Sequence, residues 1–413
     1  MECTVNRVHN RWLDQMKRSG HLDRSGDLAL LRELGLRKLR YGLHWERFHF
    51  AGSLDIFAAP LAEMERLGID PIAGLVHHGS GPPGTSLLDD RFGEKLAAYA
   101  SLLAQRFPSI RSYTPVNEPQ TTARFSGLYG HWYPHHRSLA SYVCALVNQL
   151  RASVLAMRAI RSVRSDALFI HTEDGGKTWS TPELAEVCAI REQRRWLGLD
   201  LLCGRVDEKH PLYAFLQAQG LSEHAILWFA ENPCPPDVIG LNHYLTSDRF
   251  LDHRTDRYPD GFAGGDTGQE PFVDIEAVRV RKEGIAGAGE ILTEAWDRYG
   301  IPVAITEAHL GGPLEQQPLW LLGVWNQAKA ARAAGVNCVA VTVWALLGSF
   351  DWPSLVTRED GLYEPGVFAL SGGAPTPTAL AKLVRRLAAG EDIATTEQGW
   401  WAQPERLTFE ANP

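Results

Sequence analysis

With 413 residues, 45% of them hydrophobic, the chain can bury a large core, and its length suits either several domains or one long α/β barrel. A formal net charge of −8 and a pI of about 6.0 argue against the basic face that a nucleic-acid groove or an anionic membrane demands, so a neutral small molecule is the expected partner. The start, MECTVNRVHN, lacks a basic region followed by an apolar core, and no unbroken run of 18 apolar residues occurs, so neither secretion nor membrane insertion is expected.

Along the chain, short β-type runs alternate with longer helical stretches, the pattern of a parallel sheet built from βα units. Strands are expected at 3–6, 39–43, 71–76, 113–116, 168–172, 238–241, 303–306 and 338–343. Helical periodicity is clearest in GEKLAAYASLLAQRF from Gly93, in the stretch 141–163, and in QAKAARAAG, where Gly335 is a natural stop. Eight such units predict an α/β fold, a single (β/α)8 TIM barrel over 1–390, with its site at the C-terminal ends of the strands. The stretch 245–268, rich in Asp, Arg and Gly, is expected to be a loop or lid over that site. The tail, 391–413, is expected to be irregular and to pack on the barrel or extend from it, with Trp400 and Trp401 as its apolar contacts.

Six scattered cysteines, Cys3, Cys144, Cys188, Cys203, Cys234 and Cys338, include no C-x-x-C pair, which suits reduced thiols in a cytoplasm. The cluster GIAGAGEIL from Gly284 lacks the third glycine of a dinucleotide fingerprint and an obvious preceding strand. In GHWYPHH, His131, His135 and His136 sit in an irregular stretch without an H-E-x-x-H helix, so loop polarity or a substrate-entrance role is preferred over zinc. No metal and no cofactor are expected.

Two strand ends carry the chemistry. YTPVNEP (113–119) puts Glu118 after the fourth expected strand, and VAITEAH (303–309) puts Glu307 at the end of the seventh. A lone glutamate at a strand end is more often an ordinary surface charge. Two on one rim match the pair that glycoside hydrolysis needs, one carboxyl protonating the leaving oxygen and one attacking the anomeric carbon.

Six ordered motifs resemble glycoside hydrolase family 1, the β-glucosidase-like enzymes, over nearly the whole chain. NEP (117–119) resembles the family's acid/base motif, ITEAH (305–309) its ITENG, and GLNHY (240–244) its GINYY. VWALLGSFDW (343–352) resembles WSLLDNFEW, LRYGLHWERF (39–48) resembles YRFSISWSRI, and SGLYGHWYPH (126–135) resembles GYxxGxxAPG. The opening ECTVNRV and the later DGLYEPGVF are similar to those of bacterial barrels followed by a domain resembling dTDP-4-dehydrorhamnose reductase.

The resemblance implies Glu118 as general acid/base and Glu307 as nucleophile. It also implies Asn117 at the sugar 2-hydroxyl, and Arg40 and Tyr244 beside Glu307. For substrate binding it implies Asn6, His77, His78, Asn242, Trp344, Asp351 and Trp352. Three of these depart from the family: Asn6 replaces a glutamine, His78 a tryptophan and Asp351 a glutamate. The departures put a β-glucoside preference in question, and an acidic Asp351 would repel a 6-phosphate. The expected function is a retaining β-glycosidase acting on a neutral glycoside. The alternatives are a transglycosidase of the same fold and a catalytically silent sugar-binding barrel serving a neighbouring enzyme.

Overall fold

Seven of the expected strands pair in sequence order in one parallel sheet, Lys38–Gly42, Asp70–His77, Ser112–Asn117, Leu168–Asp174, Val238–His243, Val303–Ala308 and Cys338–Val343. The computed structural model describes residues 1, 3–259, 262–264, 271–371 and 374–409. Ser112–Asn117 and Val303–Ala308 are buried along their whole lengths, as strands covered by helices outside and by the barrel interior inside must be.

The first expected strand, 3–6, takes a different partner. Val5–Val8 folds back antiparallel on Arg11–Asp14 through a turn at His9, whose φ is +53°. The hairpin uses backbone groups that a barrel strand would offer to its neighbours in the sheet. The chain start still lies beside the sheet, because the Met1 amino group donates to the Arg40 carbonyl at 3.1 Å. Cys338–Val343 forms the other edge of the ladder, and its Val339 is 50% exposed.

The long helices follow their sequence signals. In Phe92–Arg106 the apolar stripe Leu96, Tyr99, Ala100 and Leu103 is buried. Leu139–Val163 starts at Ser138, whose side chain accepts from the Ser141 N–H. That helix is long and apolar enough to cross a membrane, yet 67% of its most apolar stretch is buried inside the protein. Gln317–Ala333 stops two residues before Gly335, which sits at φ +103°.

The stretch expected as a loop or lid, 245–268, contains ordered sheet. Arg249–Asp252 pairs antiparallel with Phe272–Glu276 and parallel with Thr178–Ser180. Tyr258, Val273, Ile275 and Val280 give this sheet its own small apolar core, which is why it folds despite its polar composition. Residues 260–261 and 265–270 lie outside the described residues. In the tail, Trp401 packs edge-on against Trp320, and buried Arg406 donates to the carbonyls of Val278, Arg281 and Lys282. Its last residues, 410–413, lie outside the described ones.

Candidate active site

The two glutamates meet at the strand ends. Glu118 follows Ser112–Asn117 and adopts a left-handed φ of +44°, with Pro119 opening the short helix Pro119–Ala123 behind it. Non-glycine residues rarely hold that conformation, and they do so mostly where a side chain must be aimed. Glu307 lies within Val303–Ala308. Both side chains are buried in the wall of one cavity of about 930 Å³.

Their surroundings differ. One Glu307 oxygen accepts from Arg40 Nη1 at 2.7 Å and the other from the Tyr244 hydroxyl. Arg40 also donates to the Thr306 carbonyl at 3.0 Å and, through Nη2, to Asn117 Oδ1 at 2.6 Å. Glu118 makes no ion pair with an arginine among the described residues. Its Oε1 accepts from Asn242 Nδ2 at 2.7 Å, and His78 Nε2 lies 3.5 Å from Oε2. Burial, followed by the charges of Glu307, Asp174 and Glu173, pushes the Glu118 carboxyl well above the usual carboxylate range, while the Asn242 hydrogen bond opposes the shift. The Tyr244 hydroxyl is likewise raised, first by burial and then by Glu307, so it stays a donor.

Of the residues singled out in the sequence, Glu118, Glu307, Tyr244, His78, Trp344 and Trp352 line the cavity. Arg40, Asn117, Asn242 and His77 form a buried polar layer behind them. In that layer Thr306 Oγ1 donates to Asn242 Oδ1, Thr172 Oγ1 donates to Asn117 Oδ1, and His77 Nε2 lies 3.3 Å from Asn117 Nδ2. The layer holds the cavity side chains in place.

Two of the candidates lie elsewhere. Asn6 is buried and donates to the Val356 carbonyl at 2.9 Å, outside the cavity wall. Asp351 is fully buried, paired with Arg18 through one oxygen and accepting from the Leu362 N–H through the other at 2.8 Å. Because its carboxylate is neutralised and turned away, the charge argument against a phosphorylated sugar does not carry over from this residue.

Sequence reasoning missed Glu173 and Asp174. They end Leu168–Asp174 as Glu118 follows its own strand, so the same strand-end rule would have found them. Glu173 accepts from the Gln120 and Asp174 N–H groups, and burial raises its carboxyl to about 7. Asp174 lines the cavity and pairs with Arg124 at 3.4 Å. His309 and Glu364 also line the cavity and had no signal of their own, and Trp400, expected as an apolar contact of the tail, lines it too. The three histidines weighed for zinc do not converge. His135 bonds to the His9 N–H and the Gly130 carbonyl, His136 to Ser141 Oγ, and His131 lines the cavity. Among the described residues no group of three metal-ligating side chains occurs.

No family model matches the chain. Its structure aligns with a family 1 β-glucosidase from Thermotoga maritima at a TM-score of 0.75, covering 91% of this chain and 88% of that one at 19% identity. The fold is that of the family 1 β-glucosidases. A second structure of a β-glucosidase from the same organism, in complex with noeuromycin, aligns at a TM-score of 0.76 over the same shares of the two chains. In sequence, the chain is 22% identical over 397 residues to β-glucosidase A of T. maritima, spanning 86% of this chain and 80% of that protein. It is 24% identical over 307 residues to a β-galactosidase of Sulfolobus acidocaldarius, spanning 71% of this chain and 58% of that protein. The family 1 likeness expected from the six motifs is thus also present in whole-chain sequence and in three dimensions.

Proposed function

We propose that the protein is a retaining β-glycosidase that hydrolyses a neutral β-glycoside by double displacement. The observation that carries this reading is the contrast between two carboxyl groups in one cavity, Glu307 gripped by Arg40 and Tyr244 and Glu118 raised by burial and by neighbouring acids. Glu118 in its protonated form gives its proton to the departing glycosidic oxygen while Glu307 attacks the anomeric carbon. Glu118 then takes a proton from the water that releases the sugar from Glu307. Arg40 and Tyr244 orient the attacking carboxylate, and Trp344 and Trp352 offer flat apolar faces to the sugar ring. The β-glucosidase and β-galactosidase names of the relatives support the same class of substrate. A reducing, cytoplasmic setting belongs to the reading, and six free cysteines suit it.

Azide rescue of two variants tests the assignment. On an aryl β-glycoside with a good leaving group, Glu118→Ala with azide yields the β-glycosyl azide, because Glu307 still forms the intermediate. Glu307→Ala with azide yields the α-glycosyl azide by direct attack from the vacated face. Reversed products exchange the two roles, and unaltered turnover in both variants places the chemistry elsewhere.

A further inference from the structure

The acid expected to read sugar hydroxyls, Asp351, is spent on the fold. The hairpin that holds it carries a second acid directly to the cavity. Ser349–Phe350 pairs antiparallel with Tyr363–Glu364, with Ser349 opposite Glu364 and Phe350 opposite Tyr363. Just beyond, Asp351 pins the hairpin by exchanging two hydrogen bonds with Leu362 at 2.8 Å, one through its N–H and one through its carboxylate. Glu364, on the opposite strand, lines the cavity, and its Oε1 accepts from the Gly312 N–H at 2.9 Å.

Beside Glu364 stands His309, two residues beyond Glu307 and also in the cavity wall. Its Nε2 lies 3.1 Å from Glu364 Oε2, an ion-pair contact when the ring is protonated, while neither ring nitrogen makes an aligned hydrogen bond among the described residues. The His309 ring lies 5.2 Å from Trp344, which in turn lies 6.3 Å from Trp352. The indole N–H groups of Trp344 and Trp352 are buried and donate to no acceptor among the described residues. Buried polar groups are seldom left unpaired, and here four such nitrogens belong to three side chains of one cavity wall.

We propose that Glu364, backed by His309, determines the glycone by accepting from its hydroxyls, the duty that the sequence assigns to Asp351. This rests on the β-glycosidase reading and specifies the substrate of that same site. A carboxylate that accepts from adjacent hydroxyls, with an imidazole and two indole rings in the same wall, suits an unmodified sugar with free vicinal hydroxyls. The Glu364 carboxylate disfavours a phosphorylated or uronic sugar at that position by like-charge repulsion.

The test compares wild type with Glu364→Gln, His309→Gln and Asp351→Asn on aryl β-glycosides that share one leaving group. The panel spans gluco and galacto sugars and their single-position deoxy analogues, and thermal melts confirm that each variant is folded. A site built to bond a hydroxyl discriminates strongly against substrates or variants that break the bond. Glu364→Gln and His309→Gln therefore lose roughly 10- to 100-fold in kcat/KM on the preferred glycone and only a small factor on the analogue lacking the contacted hydroxyl. Asp351→Asn leaves the ranking of glycones unchanged. Equal losses across the whole panel, or a re-ranking produced by Asp351→Asn instead, overturn the assignment while leaving the glycosidase reading intact. Absence of turnover by wild type on every aryl β-glycoside removes both.

Discussion

Arg40 and Glu307 stand 267 residues apart in sequence and on strands five places apart in the ladder, yet Nη1 lies 2.7 Å from Oε1. Such a contact is possible only because the sheet curls, and it joins the second expected strand to the seventh across the barrel interior. The same guanidinium holds Asn117, the residue before Glu118, so one side chain sets the spacing of both halves of the site.

Arg40→Lys replaces a planar fork serving Glu307, Asn117 and the Thr306 carbonyl with a single ammonium that reaches one or two of them. The expected loss in kcat/KM on an aryl β-glycoside is about 100-fold, as Glu307, the proposed nucleophile, loses its orientation. Tyr244→Phe keeps the ring and removes one hydrogen bond, so roughly a 10-fold loss is expected. Steady-state kinetics on purified variants measures both, and an unchanged rate in either removes that residue's role.

The pH profile reports on Glu118. Since burial and three acidic neighbours raise its carboxyl, the proton needed for leaving-group departure is retained well above the ordinary carboxylate range, and kcat/KM falls only as pH rises through that elevated value. Asn242→Ala removes a donor that favours the ionised form, which moves the alkaline limb to higher pH. Asp174→Asn removes a negative neighbour, which moves it to lower pH. Shifts in the opposite directions would contradict Glu118 as the titrating acid.

A second buried carboxyl makes stability depend on pH. Glu46, in the helix Trp45–Ala51, is fully buried, accepts from the Gly81 N–H through one oxygen, and is raised by burial from 4.5 to about 8. Below pH 4.5 the folded and unfolded chains are both protonated here. Between 4.5 and about 8 the folded chain keeps a proton that the unfolded chain releases, so stability falls as pH rises, by about 1.4 kcal/mol per unit. Glu46→Gln lacks this titration. It is expected to be more stable than wild type at about pH 8, by on the order of 2 kcal/mol after allowance for an imperfectly bonded amide, and no more stable at about pH 4. Urea denaturation at the two pH values measures the difference.

Much of this site is legible in the chain because its signals are local. In VNEP and ITEAH a buried β-run, a strand-end carboxylate and, in the first, a proline that opens a helix lie within a few residues, so Glu118 and Glu307 can be assigned to one rim without knowing the packing. The alternation of β-runs and amphipathic helices is local in the same sense, which is why seven strands and the long helices fall close to where periodicity puts them.

Other features depend on which distant partner a local signal finds. CTVN reads as a strand either way, but the turn at His9 and the pairing with Arg11–Asp14 turn it into a hairpin. Asp351 occupies the position of a sugar-binding acid, yet Arg18, 333 residues away, takes its carboxylate, while Glu364 reaches the cavity through strand register alone. A motif specifies the type of side chain and its place on an element. The destination of a carboxylate is a competition among every cation and N–H that folding brings within reach, and only the tertiary structure decides it.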